Sequence, residues 1–364
     1  MKAKKNILIA TGGTGGHIFP AYSLAKFLIK KNYELSLTTD KRGYKYLKDF
    51  DELNLNIISS GTIFSKNPFI IISGISKVLF SILKSIVFLR KLKPSIVFGM
   101  GGYSSFPVCV AAKLLNIPFI IYENNLLLGK TNKILLPFAK KLFVSYKEVE
   151  GIGKKYNFKS VYIGNIIREE IFNYRKNNIS KDNGFLNLLV LGGSQAAKIF
   201  GKIIPPILKK LKENDIQFSI TQQCLISQKN DLEKFYRANN IKFDLFNYSQ
   251  QIFDYYENAD LVITRAGSSV LAELLNCRIP MISIPLPSSA DNHQFKNAKY
   301  FEKKGFGYLI EENTLGPNLF DLIKSIHKDK SLLKKIYESQ RDHSDENVFK
   351  NINIELKKIF DEKN

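Results

Sequence analysis

Short apolar runs along the chain alternate with polar turns and with segments of helical periodicity. The clearest example starts at residues 261–264 (LVIT), continues through residues 265–269 (RAGSS) and enters a helical pattern. This order predicts a buried strand, a tight turn and a helix N-terminus. A second apolar run at residues 280–285 precedes a polar loop at residues 288–294. The pattern predicts a βαβ unit whose polar loops lie at the carboxyl ends of neighbouring strands, where open α/β sheets bind ligands.

The chain begins with the same order of elements. Residues 7–10 (ILIA) form an apolar run, residues 11–17 (TGGTGGH) are rich in glycine, and a helix is predicted to begin near Pro20. Glycine lets the backbone approach a ligand closely, and the N–H groups at a helix start attract anions. The turn has the spacing of neither the dinucleotide fingerprint nor the P-loop. His17 is open to two interpretations, a hydrogen-bonding residue at the helix N-terminus or a catalytic acid–base group.

Residues 188–195 (LLVLGGSQ) repeat this order of strand, Gly-Gly turn and helix, 180 residues after the first copy. A chain of 364 residues also exceeds what one hydrophobic core usually serves. Both observations indicate an α/β protein with two similar, doubly wound, Rossmann-like domains. We expect an N-terminal domain at residues 1–165 and a C-terminal domain at residues 166–345. A last helix, at about residues 346–364, is expected to pack back on the first domain.

The net charge of +21 by itself is compatible with a nucleic-acid partner or with an anionic membrane surface. No recognised nucleic-acid-binding module is present, so we expect no nucleic acid. The three cysteines are odd in number and far apart, which favours reduced thiols in a cytoplasmic protein and no metal site. No acidic residue lies between Glu52 and Glu123, whereas seven basic residues do: Lys66, Lys77, Lys84, Arg90, Lys91, Lys93 and Lys113.

An apolar segment at residues 69–89 is about as long as the ~20 residues that cross a bilayer. Lys77 and Lys84 argue against a span, because each costs roughly 2.5–3.5 kcal/mol at the bilayer centre. Lys77, Lys84 and Lys91 recur every seven residues and so share one helix face. Two interpretations remain open, a peripheral contact with an anionic membrane and a buried crossover helix with a solvated lysine edge.

Glycine-rich and amide-rich motifs follow several predicted strands. In chain order they are residues 11–17 with Pro20, residues 99–103 (GMGGY), 123–125 (ENN), 131–133 (TNK) and 192–195 (GGSQ), residues 265–267 (RAG) with Glu273, and Gln294. Their order and content resemble the motifs of the MurG family of glycosyltransferases, over essentially the whole chain. The resemblance implies a GT-B fold, in which two Rossmann-like domains face each other across a cleft.

That family transfers N-acetylglucosamine from UDP-N-acetylglucosamine to lipid I, which is undecaprenyl-pyrophosphoryl-N-acetylmuramoyl-pentapeptide. The resemblance implies an inverting hexosyltransferase that glycosylates the C4 hydroxyl and yields lipid II for peptidoglycan synthesis, and hence for cell-wall growth, shape and division. It also implies a peripheral protein on the cytoplasmic face of the inner membrane. A diacylglycerol-type lipid glycosyltransferase of the same fold is the nearest alternative, followed by a UDP-sugar epimerase that would need no lipid surface.

The resemblance also implies which residues act. The contacts to UDP-N-acetylglucosamine would be Thr14, Gly15, Gly16, Asn125, Arg168, Ser194 and Gln294. Glu273 would bind the ribose hydroxyls, and backbone near Ser249 would meet the uracil. His17 and Glu123 are the candidates for the base that takes the hydroxyl proton, and His17 is preferred. Helix N-termini and Arg168 would stabilise the leaving pyrophosphate, so no metal or cofactor is expected.

Three places depart from the family pattern. The family's Gly-Asn-Pro-Val-Arg appears here as residues 164–168 (GNIIR). Tyr122 and Asn124 replace the more usual His and Gln on either side of Glu123. Serines at residues 268–269 stand where small and apolar residues are common.

Overall fold

The computed structural model divides the chain into two compact units, Met1–Arg168 with Asp345–Asn364, and Glu169–Ser344. Each unit is built on a parallel sheet with helices connecting its strands. The structure describes residues 4–13, 15–48, 54–58, 68–176, 184–249 and 251–362, without the side chains of 68–73 and 193–197.

The first unit contains strands β1 (Asn6–Ala10), β2 (Glu34–Thr39), β3 (Leu55–Ile57), β4 (Ile96–Gly99), β5 (Phe119–Glu123), β6 (Lys141–Val144) and β7 (Ser160–Tyr162). Within the described residues these strands pair in parallel in the order β3-β2-β1-β4-β5-β6-β7. The central strands β4 and β5 are buried along their whole length, as expected when helices cover both faces of a sheet. Because the strand order reverses at β1, the loops after β1 and β4 lie at the switch point where open sheets bind ligands.

The helices of this unit are α1 (Gly15–Lys30), α2 (Lys41–Leu47), α3 (Pro68–Leu92), α4 (Gly102–Leu114) and α5 (Lys130–Leu135), with a 3-10 helix at Lys154–Lys159. The prediction that α1 starts near Pro20 was wrong, because Pro20 lies inside the helix. Proline is favoured at the first helical position, which explains the error. Among the described residues, no helix combines the length and the apolar character that crossing a bilayer requires.

The second unit contains β8 (Phe185–Leu191), β9 (Gln217–Gln223), β10 (Lys242–Phe246), β11 (Leu261–Arg265), β12 (Met281–Ile284) and β13 (Tyr308–Leu309). In the part of the chain that is described, their order is β10-β9-β8-β11-β12-β13, all parallel. The helices are α6 (Gly193–Glu213), α7 (Ile226–Ala238), α8 (Ile252–Asn258), α9 (Ser268–Cys277), α10 (His293–Lys303), α11 (Leu315–Lys328) and α12 (Ser331–Arg341), with 3-10 helices at Glu169–Tyr174, Ala290–Asn292 and Glu312–Thr314.

The last helix, α13 (Val348–Asp361), belongs to the first unit. Its apolar face, including Ile352 and Leu356, is fully buried in the core on one side of the first sheet. The Phe349 ring stacks on Phe27 of α1, with the ring centroids 4.9 Å apart. Burial of each such side chain stabilises the fold by about 1.5–3 kcal/mol, so α13 is an integral part of the first unit.

Candidate active site

The glycine turn after β1 is held by hydrogen bonds to the Asp40 carboxylate. Gly13 has a φ of +86°, and Gly12 lies so close to Ser104 that an added Cβ would meet its Oγ at 2.3 Å. Asp40, the residue after β2, accepts hydrogen bonds from Gly13 N (3.1 Å), Ser104 Oγ (2.9 Å) and Gly43 N (2.8 Å). The carboxylate thus joins the β1–α1 turn to the starts of α2 and α4. Thr14, a predicted donor contact in this turn, lies outside the described residues.

The Asp40 carboxylate stays ionised in this position. Burial acts to raise its pKa, but the hydrogen bonds and the nearby Arg42 guanidinium outweigh burial and bring the pKa below its ordinary value. Sequence reasoning missed this residue. The signal that could have identified it is an aspartate directly after an apolar strand, at the same sheet edge as the glycine turns.

His17 lies in the first turn of α1 and is half-buried. Its imidazole packs against the turn that precedes α4. A Cβ added at Gly101 would lie 3.2 Å from its Cε1, and one at Gly102 would lie 3.4 Å from its Cδ2. The His17 carbonyl also accepts a hydrogen bond from Thr11 Oγ at 3.0 Å. The two glycines therefore leave the room that the ring occupies, and two separate sequence motifs meet at this histidine.

Pro20 explains a further contact in the same place. Proline has no N–H, so it cannot bond to the carbonyl four residues earlier in the helix, which belongs to Gly16. That carbonyl instead accepts a hydrogen bond from Asn124 Nδ2 at 3.1 Å. The loop after β5 is thereby tied to the first turn of α1.

Glu123 ends β5 and is buried, with only 3% of its surface exposed. Its Oε1 accepts hydrogen bonds from the Asn125 backbone N (3.0 Å) and Nδ2 (2.9 Å). Its Oε2 accepts hydrogen bonds from Gly129 N and Asn132 Nδ2, both at 2.9 Å. The carboxylate therefore holds the loop from Asn125 to the start of α5 in one conformation.

Arg168 completes the group of predicted residues in the first unit. Its guanidinium lies over the Phe19 ring of α1, 5.7 Å from the ring centroid. Phe19 in turn packs on Gly15, where an added Cβ would be 2.9 Å from its Cε2. The structure thus brings the following predicted residues to the β1–α1 turn and the adjoining β5 loop: Gly15, Gly16, His17, Glu123, Asn125 and Arg168.

The remaining predicted residues lie in the second unit, in segments that follow its strands. Ser194 is in the first turn of α6, directly after β8. Glu273 is buried in α9 and accepts a hydrogen bond from Tyr256 Oη at 3.2 Å. Gln294 lies in α10, and its Oε1 accepts a hydrogen bond from Leu286 N at 2.9 Å. Ser249 lies between β10 and α8, and its Oγ accepts a hydrogen bond from Gln251 N at 3.0 Å. These segments share the carboxyl edge of the second sheet.

Arg265 has a role that sequence reasoning left unassigned. It ends β11, and its Nη1 donates to the carbonyls of Ile284 (3.4 Å) and Pro285 (3.3 Å) after β12. Its Nη2 pairs with the Glu312 carboxylate. This buried guanidinium connects three loops at the carboxyl edge of the second sheet. In the stretches that are described, no three His, Cys, Asp or Glu residues are grouped to hold a metal ion.

Two parallel Rossmann-like sheets are the architecture of the GT-B fold, and the matches to known glycosyltransferases confirm the predicted fold class. Residues 7–144 match the glycosyltransferase family 28 N-terminal domain, and residues 187–352 match its C-terminal domain. The chain belongs to the MurG family of these enzymes.

Individual relatives support this membership. A Pelagibacter ubique protein is 38% identical over 363 residues, covering 98% of this chain and 99% of its own. A Rickettsia felis protein is 38% identical over 335 residues, covering 88% and 91%. Both carry the name UDP-N-acetylglucosamine–N-acetylmuramyl-(pentapeptide) pyrophosphoryl-undecaprenol N-acetylglucosamine transferase.

Solved structures show the same fold. The crystal structure of Acinetobacter baumannii MurG matches with a TM-score of 0.76 at 26% identity, covering 96% of this chain and 98% of that one. A putative UDP-N-acetylglucosamine 2-epimerase from Listeria monocytogenes matches with a TM-score of 0.71, covering 99% and 98%. Its 14% identity supports a common fold alone.

Proposed function

We propose that this protein transfers N-acetylglucosamine from UDP-N-acetylglucosamine to the C4 hydroxyl of the muramoyl sugar of lipid I, giving lipid II for peptidoglycan. The observation that carries the proposal is 38% identity, over 98% of the chain, to a transferase named for this donor and acceptor. The reaction is a single inverting displacement in which the hydroxyl oxygen bonds to the anomeric carbon, UDP leaves and a β-1,4 link forms. A base must accept the hydroxyl proton.

In this proposal His17 is the base. Its ring lies where the β1–α1 turn meets the Gly101–Gly102 turn, at the switch point of the first sheet. The alternative base, Glu123, already accepts four hydrogen bonds, two at each carboxylate oxygen. A carboxylate so occupied is better suited to hold a loop than to take a substrate proton, because abstraction would require one of those donors to be displaced.

We assign the ribose hydroxyls to Glu273, the uracil to backbone near Ser249, and further donor contacts to Thr14, Asn125 and Gln294. The leaving diphosphate is stabilised by the helix N-termini at Gly15–Gly16 and Ser194 together with Arg168, without a metal or cofactor. The acceptor and the membrane are then assigned to the first unit, and the nucleoside part of the donor to the second.

Helix α3 supplies the membrane contact in this proposal. Its inward face carries small side chains at Gly74, Ser81 and Ser85, and both serines bond back to the carbonyl four residues earlier. Large apolar side chains point outward instead, and between 46% and 70% of their surface is exposed: Ile75, Leu79, Phe80, Leu83 and Val87. An exposed apolar helix face in a segment without acidic residues suits the anionic surface of a membrane. We propose a peripheral location on the cytoplasmic face of the inner membrane.

The membrane contact is tested by reversing Lys77, Lys84 and Lys91 to Glu. All three are exposed, and each lysine near an anionic leaflet contributes about 1 kcal/mol. We expect the triple variant to lose sedimentation with anionic vesicles at low salt while it still turns over a short-chain soluble acceptor. The matched control reverses three exposed lysines of the second unit: Lys229, Lys234 and Lys328. Vesicle binding retained by the α3 variant, or lost equally in the control, would refute this location.

The reaction is tested by mixing the purified protein with UDP-N-acetylglucosamine and a short-chain lipid I analogue. We expect release of UDP together with formation of a disaccharide-linked product. Replacing the analogue with diacylglycerol tests the alternative lipid glycosyltransferase, and omitting any acceptor tests epimerisation of the donor sugar. Turnover in either of those arms, without turnover of the lipid I analogue, would overturn the proposed function.

A further inference from the structure

The backbone that leads from β7 to Arg168 is held by side chains from elsewhere in the first unit. Asn165 N and Nδ2 donate to the two carboxylate oxygens of Asp345, at 2.9 and 3.1 Å. The next N–H, that of Ile166, donates to Tyr122 Oη at 3.0 Å. Ile166 and Tyr122 are buried, with 1% and 2% of their surfaces exposed. A buried N–H group is costly to leave without an acceptor, so the Tyr122 hydroxyl matters to this segment.

Tyr122 lies in β5 and forms hydrogen bonds through both its side-chain hydroxyl and its backbone carbonyl. Its hydroxyl accepts the Ile166 N–H and lies 2.7 Å from Ser145 Oγ. Its backbone carbonyl accepts Asn132 Nδ2 at 2.9 Å. Burial raises the pKa of Tyr122 far above its ordinary value, so the hydroxyl is neutral and can accept one hydrogen bond while it takes part in another.

We infer that Tyr122 is a positioning residue for donor binding. The Tyr122 hydroxyl holds the Ile166 backbone and thereby sets the position of Arg168. Arg168 follows Ile166 by two residues, and its guanidinium lies over Phe19 beside the β1–α1 turn. A shift of the Ile166 backbone therefore moves the guanidinium relative to that turn. The inference rests on the proposed role of Arg168 at the donor diphosphate.

The backbone N–H of Ile166 and the hydroxyl of Tyr122 form a donor–acceptor pair. Proline has no N–H and needs no acceptor, whereas Ile166 has an N–H and Tyr122 supplies the acceptor. Removing one partner of a buried hydrogen bond leaves the other unsatisfied, while removing both can be nearly neutral.

A double-mutant cycle tests the inference with Tyr122→Phe, Ile166→Pro and the double variant. Ile166 is not among the described residues with positive φ, so proline is not barred there on that ground. We expect Tyr122→Phe to raise the unfolding equilibrium constant roughly 5- to 150-fold, the cost of one unsatisfied buried N–H. We expect it also to weaken UDP-N-acetylglucosamine binding, measured by calorimetry, by roughly 3- to 10-fold, since part of a charged hydrogen bond is lost. The double variant should recover both quantities.

Tyr33→Phe is the control, because Tyr33 bonds Asn353 Oδ1 in the same unit but precedes β2 at the opposite sheet edge. It should leave donor binding unchanged. Unchanged donor affinity in Tyr122→Phe, or a double variant that binds no better, overturns the inference. If Tyr122→Phe does not fold, a double variant that folds and binds the donor supports the pairing, and one that also fails to fold overturns it.

The proposed function fails separately, if the unaltered protein does not bind UDP-N-acetylglucosamine. The unfolding measurements then still report whether Tyr122 and Ile166 act as a pair.

Discussion

The two units begin with the same strand, Gly-Gly turn and helix, yet they fold the turn differently. In the first unit Gly12 and Gly13 have φ values of +159° and +86°, and α1 starts only at Gly15. In the second, Gly192 has a φ of −97° and a ψ of −24°, and α6 starts at once at Gly193. The two turns thus share a sequence pattern and an order of elements but differ in backbone shape, and the side chains around them differ as well.

Strand pairing identifies those surroundings position by position. Ala10 pairs with Thr38 in the first sheet and Val190 with Gln222 in the second, so Asp40 corresponds to Cys224. The acceptor of the Gly13 N–H is therefore replaced by a buried thiol. Burial raises the pKa of Cys224, so this position in the second unit carries no charge at neutral pH.

The same register comparison extends to the other strands. Glu123 corresponds to Ile284, and Gly101 corresponds to Arg265. At these equivalent positions the carboxyl edge of the first sheet carries the Asp40 and Glu123 carboxylates, whereas that of the second carries the Cys224 thiol, Ile284 and the buried Arg265 guanidinium. This contrast matches the proposed roles, with proton transfer in the first unit and nucleotide binding in the second.

The largest effect is expected from His17→Ala. Loss of a general base should lower kcat roughly 10²- to 10⁴-fold, and the affinity for UDP-N-acetylglucosamine should change little. Steady-state kinetics with a short-chain lipid I analogue measure this. If His17→Ala keeps a kcat near that of the unaltered enzyme while Glu123→Ala is folded but loses its activity, the base is Glu123 instead.

A smaller effect, of a different kind, is expected from Glu273→Ala in the second unit. A ribose contact is made in the ground state and the transition state alike, so its loss should raise the donor KM and spare kcat. Hydrogen bonds to charged groups contribute about 1.5–3 kcal/mol, which corresponds to roughly a 10- to 150-fold rise. The acceptor KM should stay constant. An unchanged donor KM would remove Glu273 from the site and would weaken the contrast between the units.

The order of elements was predictable because it depends on local periodicity. Strands β2 and β11 and the repeated Gly-Gly turns follow from short apolar runs and glycine spacing. The start of α1 was not predictable from local sequence. Pro20 has no N–H to donate to the Gly16 carbonyl, and Asn124, 108 residues away, donates to it instead. Asp40 was missed for the same reason, since its partners Gly13 and Ser104 are 27 and 64 residues distant.

Helix α3 shows a second limit of sequence reasoning. Its sequence left open whether the apolar face is buried or meets a membrane. Periodicity alone could not decide, because apolar residues lie on both faces. Val78 and Leu89 are buried beside Gly74, Ser81 and Ser85, whereas Ile75, Leu79, Phe80, Leu83 and Val87 are exposed. Close packing on α4 selects small side chains there, and that neighbour cannot be identified from the sequence of α3.

The smallest effect, and the most direct test of the comparison, is expected from Asp40→Asn set against Cys224→Ser. The folded-state pKa of Asp40 lies below its ordinary value of 3.8, so its stabilisation is complete above that pH and is lost as the pH falls through the folded pKa. Asp40→Asn should therefore cost about 1–3 kcal/mol of unfolding free energy at pH 7, with the cost shrinking below about pH 4. The Cys224 thiol is neutral throughout this range, so Cys224→Ser should show a cost that does not change with pH. Denaturant unfolding between pH 3 and pH 7 measures both variants. Parallel pH profiles would mean that Asp40 does not hold the first turn through its charge, and that the two turns differ for another reason.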